Sequence, residues 1–168
     1  MTMIERVAQT EVDPALHLIP EDQLRRVLGQ RMCDIDREFL GFTNIYLALA
    51  SIIPRHWAVV DLGCAYAPQS FIFKDHKAYV GVDRGQDERF AAPNAIHFDM
   101  SIEDFIATHL AEFNLDQTFA ICSYVPPWGG DNMGMVRSAF KNVFTFYPSG
   151  QRNRFPVAAL QEGKETGE

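Results

Sequence analysis

The spacing of apolar positions changes along the chain, and each change predicts a different kind of element. Residues 1 to 19 carry no strong period and are expected to form a loose lead-in. Pro20 then opens a helix, with Glu21 and Asp22 near its positive end. Leu24, Val27 and Leu28 give it an apolar stripe that Gly29 interrupts. From about Asp34 to Ile52 a second helical stretch follows, in which Phe39, Phe42, Ile45 and Tyr46 recur at helical spacing until Pro54 stops it. Beyond Pro54 the pattern becomes short apolar runs bounded by turn residues. These predict strands near Trp57–Leu62, Tyr79–Asp83, Ala95–Asp99, Phe119–Tyr124 and Val143–Tyr147. Too few residues separate the second and third strands for a full helix. Ser101-Ile102-Glu103-Asp104 is a capping-box pattern that starts a helix through Phe105, Leu110 and Phe113, and a further helix covers Asn132 to Lys141. Strands alternating with helices predict an α/β fold with a mostly parallel sheet and helices on its faces.

This organisation predicts a single domain over residues 1–168, with a helical N-terminal cap at 20–54, an α/β core at 55–150 and a disordered polar tail at 161–168. Internal repeats and low-complexity linkers are absent from the sequence. With 47% hydrophobic and 22% charged residues the composition is that of an ordinary globular protein, and 13 Phe suffice for one core. The net charge of -7 argues against strong general nucleic-acid binding, although Arg152 and Arg154 leave room for a local basic patch. Cys33, Cys64 and Cys122 are an odd set without metal-ligand spacing, two of them inside predicted core elements. They fit buried, reduced thiols in a cytoplasmic protein. A polar N-terminus and short apolar runs predict neither a signal peptide nor a membrane span.

The candidate chemistry lies at the ends of the strands. Residues 58–83 read AVVDLGCAYAPQSFIFKDHKAYVGVD. An apolar run ends in Asp61-Leu62-Gly63, small residues follow, and a second apolar run ends in Asp83. That acid falls about twenty residues after Gly63, the spacing at which a Rossmann-like unit sets a carboxylate on a ribose hydroxyl. The alternative for each part is plain: a strand–helix turn without a ligand, and a solvated acid closing a strand.

The stretch Asp61-Leu62-Gly63-Cys64-Ala65-Tyr66-Ala67 resembles the first motif of the class I S-adenosylmethionine-dependent methyltransferases, an acid followed by Gly-x-Gly-x-Gly. Gly63 matches the first glycine, and Ala65 and Ala67 stand at the second and third. Gly81-Val82-Asp83 matches the family's second strand, whose terminal acid binds the ribose hydroxyls. Arg84 is then either a neighbour of the adenine or a surface residue. His97-Phe98-Asp99-Met100 matches the third strand end. The resemblance gives Asp99 the adenine amino group and the Met100 N–H the adenine ring; as an alternative, Asp99 simply precedes the Ser101 cap. The fourth strand end, Cys122-Ser123-Tyr124-Val125-Pro126-Pro127-Trp128, resembles the motif of the amino-group methyltransferases in two registers. One matches the prolines and Trp128 but lacks a polar first residue. The other supplies Ser123 and loses the pattern after it. A rigid proline turn packing Trp128 on the core is the alternative to both.

The resemblance covers roughly residues 40 to 150. It implies a Rossmann-like sheet of about five strands in the order 3-2-1-4-5, shortened at the C-terminus because the family's final hairpin has no room. It implies S-adenosylmethionine as cofactor, held by Asp61, Gly63, Cys64, Ala65, Asp83, Arg84, Asp99 and Met100. Ser123, Tyr124 and Trp128 would face a methyl acceptor that the sequence does not identify. The helical N-terminal region is the lid candidate, with Phe42 or Tyr46 lining the pocket. An exposed sheet edge beyond strand five makes a homodimer through that side an expectation. The competing function is a non-catalytic methyltransferase-like module acting through a protein partner; a small nicotinamide-binding protein is a third. The cluster Asp34, Asp36 and Glu38 reads as a solvated helix start, and the five histidines lack metal-ligand spacing.

Overall fold

A computed structural model of the protein describes residues 19–23, 26, 45–85, 88–122 and 132–145. Five strands form one parallel sheet: β1 (Ala58–Leu62), β2 (Ala78–Asp83), β3 (Ala95–Asp99), β4 (Thr118–Cys122) and β5 (Val143–Thr145). Their order is β3-β2-β1-β4-β5, a Rossmann-like α/β arrangement. The chain is helical over 45–52 (α1), Ile102–His109 (α2) and Asn132–Ala139 (α3).

Both faces of the sheet are covered, which is why the central strands are nearly continuous apolar runs. Alternate residues sort to opposite faces. On one face, Val59, Tyr79, Ile121 and Phe144 pack with Ile45, Tyr46 and Leu49 of α1 and with Phe73. On the other, Val60, Leu62, Val80, Val82, Ala120 and Cys122 pack with Phe105 of α2 and with Val136 and Phe140. β1, at the centre, is buried at every position, Asp61 included.

The connections follow local chemistry. The segment after β1 forms a short 3-10 turn, Pro68–Phe73, with proline at its start, where a missing N–H costs nothing. Ser101 caps α2 by accepting from the Asp104 N–H at 3.0 Å, as the capping pattern predicts. The described residues between β2 and β3 contain no helix. Observed strand ends lie within two residues of the predicted ones where both are described; the expected continuations into Ser123–Tyr124 and Phe146–Tyr147 lie outside the described residues. So do most of the predicted second helix (34–44) and the polar tail. No described helix is long and apolar enough to cross a membrane.

Candidate functional site

The carboxyl ends of β1 and β2 meet at one turn. Gly63, Ala65 and Ala67 all have positive φ, at 85°, 50° and 56°. These are the three positions at which the resembled motif places glycine. A methyl group in the left-handed region crowds the following carbonyl, at a cost of about 1–2 kcal/mol per residue. The turn is therefore held in a conformation that Ala65 and Ala67 do not favour on their own. Three sets of bonds hold it. The Gly63 and Cys64 N–H groups both donate to the Val82 carbonyl, at 2.8 and 3.2 Å. The Ala65 N–H donates to Asp83 Oδ2 at 2.8 Å. Phe90 N–H reaches the Tyr66 carbonyl at 2.8 Å from the loop after β2.

Beneath the turn lies Asp61, which is fully buried. Its carboxylate accepts from three neutral side chains: Tyr79 Oη at 2.5 Å, Gln69 Nε2 at 2.8 Å and Tyr46 Oη at 3.3 Å. Gln69 also donates to the Cys64 carbonyl at 3.0 Å and so ties the acid to the turn. Burial without a cation raises the Asp61 pKa to about 6, and the three donors oppose that rise. The same burial, with Asp61 close by, pushes the Tyr79 hydroxyl and the Cys64 thiol well above their ordinary ranges. Cys64 is an inert, free thiol in this setting. Of the two residues expected to line the pocket, Tyr46 is buried and donates to Asp61; Phe42 lies outside the described residues.

Asp83 stands at the opposite extreme. It closes β2 in register with Asp99, which closes β3. Asp83 is half-buried and Asp99 exposed. Asp83 Oδ2 takes the Ala65 N–H, and Oδ1 takes the Arg84 N–H at 2.7 Å. Each oxygen of a carboxylate has two acceptor sites, so one site per oxygen remains. Asp99 Oδ1 accepts from Gly85 N–H at 3.1 Å, where a φ of 81° calls for glycine. Neither acid has a salt-bridge partner among the described residues. The Arg84 side chain is exposed. The Met100 N–H donates to the Asp83 carbonyl at 3.1 Å, so the free ring-binding N–H expected there is already engaged in the sheet.

Sequence reasoning passed over several contributors. Arg89 ties the ends of β2 and β3 together, donating to the Asp83 carbonyl at 2.7 Å and the Phe98 carbonyl at 3.2 Å. His97 Nε2 donates to the Phe90 carbonyl at 2.8 Å, and desolvation lowers the ring's pKa. Gln23 pairs with Ala91 through two bonds, Nε2 to the carbonyl at 3.1 Å and N–H to Oε1 at 3.0 Å. Arg26 adds an ion pair with Glu88 at 2.6 Å. Gln23 and Arg26 thus dock on the β2–β3 loop. Tyr79 in an otherwise aliphatic strand and Gln69 in an apolar turn were the signals available for the Asp61 cluster.

Ser123, Tyr124 and Trp128 lie outside the described residues. Among the described residues no group of His, Cys, Asp or Glu is arranged to hold a metal ion. No protein-family model matches the chain, and no curated protein matches it in sequence.

Proposed function

We propose that this protein is an S-adenosylmethionine-dependent methyltransferase. One observation carries the reading: the half-buried Asp83 carboxylate is oriented by two backbone N–H groups and keeps one acceptor site on each oxygen. Two vicinal hydroxyls of a ribose supply two donors at matching spacing, and hydrogen bonds to a charged acceptor are the stronger kind. Asp99, one strand over and about 5 Å away along the sheet, offers a further acceptor to an exocyclic amino group. Two neighbouring acids without a salt bridge among the described residues also favour a ligand that brings donors.

The left-handed turn brings the backbone at Gly63–Ala67 close to whatever lies above β1, with Asp61 shaping it from below. When bound, the cofactor would supply an electrophilic methyl group. The protein's own task is then to bind and orient, since holding the reactants in line supplies much of the rate of such a transfer. No general base is required among the residues assigned. Ser123, Tyr124 and Trp128 are assigned to the acceptor side by resemblance alone. The buried Cys64 and Cys122 suit a reducing, cytoplasmic compartment.

A second reading, a methyltransferase-like module that works through a protein partner, is favoured by the methyl groups of Ala65 and Ala67. They occupy space at the turn that glycines would leave open. Calorimetric titration with S-adenosylmethionine, S-adenosylhomocysteine and NAD tests the proposal. Saturable binding of the first two, without NAD, supports it. Binding of none of them removes the cofactor and leaves the module.

A further inference from the structure

Half of the eight described Lys and Arg side chains face an acid. Arg26 meets Glu88, Arg55 and Lys74 meet Asp75, and Lys141 meets Asp116. Arg137 of α3 is not among them. It is partly buried, yet no carboxylate lies within ion-pair distance of it among the described residues. Its Nη2 donates to Thr145 Oγ1 at 3.0 Å, and its buried Nε has no acceptor. A guanidinium removed from water without a counter-charge is unfavourable. A neutral hydroxyl offsets only part of that cost.

Its position gives the cation a purpose. Thr145 ends the described part of β5 in register with Cys122, the last residue of β4, which in turn is level with Leu62 of β1. Arg137 therefore reaches the carboxyl ends of the strands, where open α/β sheets bind ligands. It does so on the half of the sheet away from Asp83. In the order β3-β2-β1-β4-β5, β5 is three strands from β2, or about 14 Å at the usual strand spacing. A cofactor held at β2 and β3 leaves this end for the other reactant.

We infer that Arg137, with Thr145, binds an anionic group, a carboxylate or a phosphate, carried by the methyl acceptor. The identity of the acceptor as a methyl acceptor rests on the function proposed above; the anion site does not. Arginine's planar fork suits two oxygens of either group. Nε is the covered end of the side chain, so the anion meets the terminal nitrogens, which the buried Thr145 hydroxyl holds in place through Nη2.

The test is nitrogen-15 NMR of the arginine side chains in the full chain, titrated with sodium phosphate or sodium acetate at constant ionic strength set by chloride. The Arg137 Nε–H signal is identified by its loss in Arg137→Lys. A saturable shift of that signal with either anion, absent in chloride, is expected, and the stronger anion names the acceptor's group. Thr145→Val should raise the apparent dissociation constant about three- to ten-fold, and it carries the test if Arg137→Lys does not fold. No shift with either anion, or an equal drift of all arginine signals, overturns the inference. S-adenosylhomocysteine binding on the same sample separates the two claims. Anion binding without cofactor binding sinks the methyltransferase reading alone, and cofactor binding without anion binding sinks this one alone.

Discussion

Asp61 and Asp83 both belong to the ends of neighbouring parallel strands, yet their surroundings give them opposite tasks. Asp61 is fully buried, and three side chains brought from α1, the 3-10 turn and β2 satisfy it. Asp83 is half-exposed, and only backbone N–H groups orient it, with acceptor capacity left over. The first acid supports the turn from below, through Gln69. The second holds the turn's Ala65 N–H and keeps acceptor capacity besides. An acid in a strand–turn motif is assigned by who donates to it and what capacity remains, not by its place in the motif.

Removing each acid should separate the two tasks. Asp61→Ala removes the acceptor of the buried Tyr79 hydroxyl and one bond each from Gln69 and Tyr46, and should cost about 3–5 kcal/mol in urea unfolding. Asp83→Ala should cost no more than about 1 kcal/mol in the same assay, because water replaces the carboxylate at a half-exposed site. Equal losses would erase the distinction.

The pH dependence sharpens it. The Asp61 pKa is raised in the folded state to about 6 from 3.8, so the folded state holds the proton more tightly. The stabilisation is complete below pH 3.8 and is lost as pH rises through about 6. The loss is on the order of 3 kcal/mol. Asp61→Asn keeps the shape, and its stability should not show this fall between pH 4 and 6. A wild-type-like fall in the variant would place the titration elsewhere.

Gly81 and the turn give smaller effects. A methyl at Gly81 would meet His97 Nδ1 at 2.6 Å and Cys64 Sγ at 2.9 Å, so Gly81→Ala should destabilise by about 1–3 kcal/mol. Ala65→Gly and Ala67→Gly relieve the left-handed strain but loosen the unfolded chain, and each should stabilise by at most about 1 kcal/mol. A clear loss of stability in both glycine variants would show that the turn is not strained.

The sheet was legible because buried parallel strands are apolar runs punctuated by Gly, Asp and Pro, and β3 begins and ends at its predicted residues. Ser101 signalled α2 through local chemistry, which sequence displays directly. The turn was legible as small residues but not as alternating left-handed backbone, since alanine rarely adopts it. The Asp61 cluster was hidden because its donors, Tyr46 and Tyr79, lie 15 and 18 residues away and meet only in the fold. The engaged Met100 N–H was hidden for the same reason: its acceptor, the Asp83 carbonyl, belongs to another strand.

The most direct measurement is calorimetric titration of S-adenosylhomocysteine into the wild-type protein and Asp83→Ala, with thermal unfolding of both. Saturable wild-type binding, weakened about a hundredfold or more in a variant of nearly unchanged midpoint, is the predicted result, as expected for two lost bonds to a charged acceptor. Equal affinity in a folded Asp83→Ala would contradict the account.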